Sequence, residues 1–199
     1  MKIICVGTNY AVSNMEVNGS TIIPFLKPDT ALIHNDWPFY IPDFSKQVDF
    51  ETQLVVKISR LGKSIPARFA HRYYEEVTVG VDFTARDLQH ELMDKGLPWE
   101  ISKGFDSSAI CGKFVKLDGR NIQDLRFEMD LNGETRQKAW TGDMIHSVDE
   151  IIEYVSRFYI LKTGDLIFTG TPAGCGTLQE GDLITARLEG EQLLECKVR

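Results

Sequence analysis

The sequence has few cysteines and none of the cysteine patterns that bind zinc or build a disulfide framework. The four thiols, Cys5, Cys111, Cys175 and Cys196, are scattered along the chain without a C-x-x-C pair. This spacing is typical of reduced, mostly buried thiols, and a catalytic cysteine is the less favoured alternative. We therefore expect a cytoplasmic protein without disulfides or structural zinc.

Long hydrophobic runs and basic clusters are also missing. No apolar run approaches the roughly 20 residues that span a bilayer, and the apolar run at residues 1–7 is too short for a signal peptide. The net charge is −7, and no basic cluster offsets it. These absences argue against a membrane or a nucleic acid as partner. An acidic protein with a small anionic substrate must concentrate positive groups, or a metal ion, in its site.

Two catalytic signatures are absent as well. There is no G-x-S-x-G motif, so a serine hydrolase is poorly supported. The glycine-rich segment 170–176 lacks the lysine and the spacing of a P-loop. It is either a tight turn or a loop whose amides and Thr171 hold a carboxylate. The four histidines have neither ligand spacing nor a neighbouring acid, and we expect surface or helix positions for them: His34, His71, His90 and His146.

The 199 residues suffice for one domain with a real core, and no linker divides them. Many strands and few helices predict a β-rich α+β domain over 1–199. Strand signals cover 2–6, 50–59, 76–82, 111–117, 125–131, 134–140, 165–169, 183–188 and 193–198. Helix signals cover 67–74, 84–95 and 148–160.

Two local motifs support these predictions. Asn132 and Gly133 separate two strand-like runs, and both residues tolerate the positive φ of a tight hairpin. Ser147 and Glu150 form a capping-box pattern at the start of the third helix.

A pair of acids and a later lysine form the candidate site. Glu51 lies in a strand-like run, and Asp82 lies where a strand is expected to meet the helix 84–95. Side chains at i and i+2 of a strand share a face, so Glu51 and Gln53 point together. With Lys103, these residues suggest a hard-metal site for an anionic substrate. Taken alone, the acids are more often surface residues, and Lys103 a solvated charge.

Seven short motifs, in order along almost the whole chain, resemble the fumarylacetoacetate hydrolase family, particularly its short acylpyruvate hydrolase and oxaloacetate decarboxylase branch. Any one of them is weak, but the ordered set is highly specific. The motifs are Gly7-Thr8-Asn9-Tyr10, Phe25-Leu26-Lys27-Pro28, Asp49-Phe50-Glu51-Thr52-Gln53-Leu54, residues 80–89, residues 96–103, Asn132-Gly133-Glu134-Thr135-Arg136-Gln137 and Thr169-Gly170-Thr171-Pro172-Ala173-Gly174.

The resemblance implies a rolled, partly barrel-like sheet, a homodimer and a divalent cation, Mg²⁺ or Mn²⁺. It places the cation at Glu51, Gln53 and Asp82, where an α-keto acid chelates it and the resulting enolate is stabilised. It also implies that Lys103 and Gln89 contact the substrate or intermediate. Thr171 would bind the substrate carboxylate.

This chain departs from the family pattern at three positions. The family's water-activating histidine and glutamate pair corresponds to Ser13 and Glu16, and a serine hydroxyl cannot hold a proton near neutral pH as imidazole does. Thr8 replaces the usual arginine. Gln53 replaces a metal-binding glutamate and lowers the ligand charge.

Three classes of function follow, in decreasing order of support. The first is a metal-dependent enzyme acting on small α-keto or β-diketo acids, in which tautomerisation or decarboxylation survives better than hydrolysis. The second is a catalytically impaired relative that binds keto acids or serves as a dimeric scaffold. The third is an interaction module without a site, which lacks its expected charge runs and long amphipathic helix.

Overall fold

The computed structural model describes residues 1–11, 21–33 and 37–199. Strands dominate, and the domain is the β-rich α+β type that the sequence predicted. The strands are β1 (Ile3–Gly7), β2 (Ile23–Lys27), β3 (Val48–Ile58), β4 (Tyr74–Ala85), β5 (Ala109–Cys111), β6 (Val115–Lys116), β7 (Arg126–Leu131), β8 (Glu134–Trp140), β9 (Leu166–Phe168), β10 (Gly176–Thr177), β11 (Leu183–Leu188) and β12 (Glu191–Lys197). The α-helices are α1 (Ala67–Ala70), α2 (Arg86–Asp94) and α3 (Val148–Phe158).

Several element boundaries differ from the prediction, and one of them moves a site residue. β4 extends to Ala85 because its ladder with β3 continues to the pair Val48 and Ala85. The predicted helix 84–95 therefore begins only at Arg86, and Asp82 lies inside a strand instead of at a helix start. The predicted helix 67–74 is the single turn α1, since the chain enters β4 at Tyr74.

One strand prediction needs correction, and two strands lacked a prediction. The predicted strand 111–117 is two short strands, β5 and β6, which pair with different parts of β4. The strands β2 and β10 were not predicted. β2 contains Pro24 and a buried lysine, which weaken its sequence signal, and β10 has only two residues.

The strands form two sheets. The larger has the order β2-β1-β9-β3-β4-β5, with β10 paired to β3 and β6 paired to β4, and the smaller has the order β12-β11-β7-β8. The hairpin between β7 and β8 turns at Asn132 and Gly133, whose φ angles of 55° and 84° confirm the predicted tight turn. Among the described residues, no helix has the length and apolar character required to cross a bilayer.

Alternate side chains of β3 and β4 face different environments. Phe50 and Leu54 of β3, with Val81 of β4, belong to the main core, which also contains residues of the smaller sheet. Because successive strand residues point to opposite faces, Glu51 and Asp82 lie on the other face. That face carries the second apolar cluster: Ile3, Cys5, Phe25, Ala31, Val55, Ala109, Leu166 and Phe168.

The larger sheet curls around this second cluster. After β2, the chain reaches β5 through a parallel bridge between Leu32 and Ala109, and the Ile33 amide donates to the Ala109 carbonyl at 2.8 Å. The two edge strands are therefore joined by the segment after β2. This closure agrees with the rolled sheet that the resemblance implied, and it brings β2 close to β4.

The capping box of α3 is a local feature whose contribution is directly measurable. The Ser147 hydroxyl accepts a hydrogen bond from the Glu150 amide at 3.3 Å, and the Glu150 carboxylate accepts one from the Ser147 amide at 2.8 Å.

We expect Ser147→Ala to lower the free energy of unfolding by about 1 kcal/mol. Glu153→Ala, at an exposed position of the same helix, should change it by less than about 0.5 kcal/mol. Equal shifts in urea denaturation would contradict a capping role.

Candidate active site

The two acids of the site face each other across neighbouring strands. Glu51 of β3 and Asp82 of β4 are directly paired in the register. Like charges in this arrangement destabilise a sheet unless a cation separates them. Lys103 supplies that cation, because its Nζ lies 2.7 Å from Glu51 Oε2 and 3.0 Å from Asp82 Oδ2. The predicted trio is therefore a single buried cluster.

The loop after α2 positions Lys103. A 3₁₀ turn at Glu100–Ser102 precedes it, and only 4% of its side chain is exposed. The ammonium lies 5.3 Å from the centre of the Phe25 ring, at the edge of the second apolar cluster. Burial lowers the pKa of Lys103, but the negative charges of Asp82 and Glu51 outweigh that effect and raise it above the ordinary value. Lys103 is thus charged at neutral pH.

A second buried lysine, Lys27, was not predicted as a site residue. Its Nζ lies 2.7 Å from Asp82 Oδ1, and neither side chain has any exposed surface. The same ammonium donates to the backbone carbonyls of Lys103 and Ser108. Lys27 occupies the same face of β2 as Phe25, two residues earlier. The sequence did contain one sign of this role, because Lys27 alternates with buried apolar residues along the strand. Its partner Asp82, however, is far away in the sequence.

Arg86, the first residue of α2, also joins the site. It donates to Asp49 Oδ2 at 2.8 Å, to Glu51 Oε1 at 2.5 Å and to Gln89 Oε1 at 2.6 Å. Burial raises the pKa of Glu51, but Lys103 and Arg86 overcome this and lower the pKa to about 2. Arg86 therefore keeps Glu51 ionised and connects the predicted residue Gln89 to the acid cluster.

Gln53 lies on the same face as Glu51, as the strand periodicity predicted. Its Oε1 accepts a hydrogen bond from the Gly170 amide at 2.7 Å, and its Nε2 donates to Asp82 Oδ2 at 3.3 Å. The Gly170 N–H requires an acceptor, so this contact decides which end of the amide faces the loop. The amide nitrogen is therefore directed toward Asp82.

The glycine-rich loop lies against Gln53, and its conformation is fixed by hydrogen bonds and close packing. Gly170 has a φ of 108°, and a Cβ there would lie 2.6 Å from the Asn9 Cβ. The Asn9 side chain donates to the Thr169 carbonyl at 2.8 Å and fixes the start of the loop. Gln137, which was not predicted, donates to Thr171 Oγ1 at 2.8 Å and to the Pro172 carbonyl at 2.9 Å. These contacts hold the predicted residue Thr171 next to Gly170.

The remaining residues singled out from the sequence have no hydrogen bond or ion pair to the acid cluster within the described part of the chain, or they lie outside it. Ser13, Glu16 and His34 lie outside them. His71 and His90 are exposed, and His146 is half-buried. The four cysteines are free thiols; Cys5 and Cys196 are buried as expected, whereas Cys111 is half-buried and Cys175 is exposed.

Glu51, Gln53 and Asp82 are the residues expected from the sequence to hold a hard cation. Within residues 1–11, 21–33 and 37–199, no group of three His, Cys, Asp or Glu side chains is arranged to hold a metal ion. A cation at this place would therefore need the Gln53 amide oxygen besides the two carboxylates. Asp82 Oδ1 accepts no hydrogen bond from the described residues, although the Lys27 ammonium is near. Gln53 Oε1 keeps a second lone pair. Amide and carboxylate oxygens suit Mg²⁺ or Mn²⁺, so the three side chains could hold such a cation with two negative charges instead of three. The ammonium groups of Lys27 and Lys103 already lie on the carboxylate oxygens of the set.

Comparison with known proteins gives a consistent assignment. The family model for the fumarylacetoacetate (FAA) hydrolase C-terminal domain matches residues 2–199. The mitochondrial oxaloacetate tautomerase FAHD1 of Mus musculus is 38% identical over 204 residues, covering 100% of this chain and 91% of the relative. The oxaloacetate tautomerase YcgM of Escherichia coli is 36% identical over 199 residues, covering 96% and 90%.

A solved structure has the same fold. The fumarylpyruvate hydrolase from Pseudomonas aeruginosa, determined in complex with Mn²⁺ and pyruvate, superposes with a TM-score of 0.92 at 31% identity. The match covers 100% of this chain and 89% of that one.

The ion pair of Lys27 and Asp82 predicts a large difference between two strand lysines. We expect Lys27→Met to lower the free energy of unfolding by about 3–5 kcal/mol, since it leaves a buried carboxylate short of a partner. Lys57→Met removes a half-exposed pair with Glu76 and should cost less than about 1 kcal/mol. Chemical denaturation of both variants measures the difference. Similar losses of unfolding free energy would show that the buried pair stabilises the fold no more than the half-exposed one.

Proposed function

Because this chain belongs to the fumarylacetoacetate hydrolase family, we propose that it interconverts the enol and keto forms of a small α-keto or β-diketo acid such as oxaloacetate. Decarboxylation of the same acid is the companion reaction, since both reactions form an enolate. The relatives named oxaloacetate tautomerase support this substrate class. The observation that carries the proposal is the buried ammonium of Lys103 between two carboxylates, because a developing enolate needs a fixed positive group.

A divalent cation, Mg²⁺ or Mn²⁺, is part of the proposal. Glu51 and Asp82 would hold it through carboxylate oxygens, and Gln53 through its amide oxygen. When bound, the cation polarises the keto group and stabilises enolate charge. The relative solved with Mn²⁺ and pyruvate supports this choice of cofactor.

Lys103 acts as a hydrogen-bond donor to the enolate oxygen. Of the three N–H groups of its ammonium, two serve Glu51 and Asp82, which leaves one for the substrate. Its raised pKa keeps the proton on Nζ at neutral pH. The side chain therefore contributes charge and a hydrogen bond, and it does not serve as a general base.

Gln89 and Thr171 bind the substrate's carboxylate groups in this proposal. Arg86 engages Gln89 Oε1, so the Gln89 amide nitrogen, which has no hydrogen bond within the described part of the chain, is available as a donor. Gln137 donates to Thr171 Oγ1 at 2.8 Å, and among the described residues the Thr171 hydroxyl donates only to the Pro172 carbonyl at 3.5 Å. This long contact is weak, so the hydroxyl can turn its proton toward an anion. Both donors suit a carboxylate.

Hydrolysis is the weaker branch of the chemistry in this proposal. It requires a group that removes a proton from water, and Ser13 stands where hydrolytic members carry a histidine next to Glu16. Tautomerisation and decarboxylation need the enolate-stabilising groups but not that base. We therefore assign the chain to the tautomerase or decarboxylase side of the family's reactions.

A catalytically impaired relative is the second candidate. It is favoured by one observation, the donor hydrogen bond from the Gln53 amide to Asp82 at 3.3 Å, where a glutamate would offer a third negative charge. Such a protein would bind keto acids without converting them. A wild-type rate equal to the uncatalysed rate, with retained binding of oxalate, would select this alternative.

We also propose a homodimer and a cytoplasmic location, as expected from the sequence. Sedimentation velocity of the purified chain tests the first, and a single species at the mass of the 22.6 kDa chain would oppose it.

The role of Lys103 is testable by following the loss of enol oxaloacetate in the presence of Mg²⁺. We expect wild type to accelerate the reaction above the uncatalysed rate, and Lys103→Met to lower kcat by roughly 10²- to 10³-fold. Lys138→Met, which removes an exposed lysine of β8, should leave the rate unchanged. Lys103→Arg retains the charge and tests whether a loss reflects charge or misfolding. Full activity of Lys103→Met would overturn the assignment.

The serine at position 13 and the glutamine at position 53 predict that hydrolysis is the slow reaction. With acetylpyruvate and Mg²⁺, wild type should hydrolyse more slowly than it tautomerises or decarboxylates oxaloacetate. The double variant Ser13→His with Gln53→Glu should gain roughly 10²- to 10⁴-fold in hydrolysis, the range for a restored general base. Each single variant separates the two contributions. No gain in the double variant would count against this interpretation of the two positions.

A further inference from the structure

The negative and positive side chains of the site balance one another without a metal ion. The ion pairs and hydrogen bonds described above join three carboxylates, Asp49, Glu51 and Asp82, to three cations: Lys27, Arg86 and Lys103. None of these six side chains is more than 19% exposed. The cluster is therefore formally neutral and largely shielded from water.

Gln53 is the residue that sets this balance. A glutamate at the same place would still accept the Gly170 N–H, and it would leave the cluster with one excess negative charge. The amide instead adds no charge, and its nitrogen donates to Asp82 Oδ2. A divalent cation entering the neutral cluster would add two uncompensated charges in a poorly solvated place.

Lys103 competes with the same cation. Its ammonium holds one oxygen of Glu51 and one of Asp82, and these are the two carboxylates that would bind the metal. The ammonium must move aside or share these oxygens, and like charges at this distance repel. A dianionic ligand removes both difficulties, because it supplies two negative charges and gives Lys103 a new partner.

We infer that Gln53 makes cation binding at this site dependent on a dianionic ligand, so that metal and dicarboxylate bind together and each binds weakly alone. The inference rests on the proposed function for the place of the cation, and it adds the order and coupling of binding. By linkage, the dianion raises the affinity for the cation by the same factor as the cation raises the affinity for the dianion. A coupling of at least about tenfold lies within the usual range for interacting sites.

Calorimetry with Mn²⁺ and oxalate tests the coupling on the full-length chain. Mn²⁺ is titrated into metal-free protein alone and into protein with saturating oxalate. A protein-free titration corrects for the Mn²⁺–oxalate complex in solution. For wild type, we expect the dissociation constant of Mn²⁺ to fall at least about tenfold when oxalate is present. The reverse titration, oxalate with and without Mn²⁺, should give the same factor.

Two variants isolate the charge at position 53. Gln53→Glu should bind Mn²⁺ alone at least about tenfold more tightly than wild type, with weaker coupling to oxalate. Gln192→Glu makes the same change of net charge at an exposed position of β12 and should behave as wild type. Thermal unfolding of each variant, followed by circular dichroism, verifies that it is folded.

The outcomes separate this inference from the proposed function. Equal Mn²⁺ affinity with and without oxalate, no Mn²⁺ binding under either condition, or identical behaviour of Gln53→Glu and wild type would overturn the inference. Coupled binding without any tautomerase or decarboxylase rate would sustain the inference and reject the proposed function. Uncoupled binding of Mn²⁺ and oxalate, together with a tautomerase or decarboxylase rate above the uncatalysed rate, would reject the inference and retain the proposed function.

Discussion

The site depends on one buried ammonium between two carboxylates that the β-sheet forces together. Glu51 and Asp82 are register partners on neighbouring strands, so their mutual repulsion is built into the pairing of β3 with β4. Lys103 resolves that repulsion from a loop that is remote from both strands in sequence. The position of this loop, and with it the path of the chain after α2, is therefore tied to the charge on the two strands.

The curl of the larger sheet also depends on a buried ion pair, the one between Lys27 and Asp82. Lys27 comes from the edge strand β2, four strands away from β4 in the sheet order, and its ammonium nevertheless reaches Asp82. The bridge from Leu32 to Ala109 closes the gap between these edges. A buried carboxylate is stable only when it is paired and hydrogen-bonded, so closure of the sheet and the pairing of Asp82 with Lys27 support each other.

Gln53 shows how one residue links backbone geometry to chemistry. The Gly170 amide fixes the orientation of the side-chain amide, and Gly170 itself is restricted to glycine by its φ of 108° and its approach to Asn9. The loop conformation thus determines that the amide nitrogen faces Asp82. The same loop presents Thr171, so one segment orients both the Gln53 amide and the hydroxyl proposed to bind the carboxylate.

The sequence by itself determined the elements whose signals are local: the turn at Asn132 and Gly133, the capping box of Ser147, and the shared face of Glu51 and Gln53. Each follows from backbone preferences or from strand periodicity within a few residues. Only the tertiary structure decided that Asp82 lies within a strand, because the ladder with β3 extends β4 beyond its predicted end. It also decided that Lys27 and Arg86 join the acids, since the pairing of buried charges depends on which strands and loops meet in space, and no local pattern encodes those meetings.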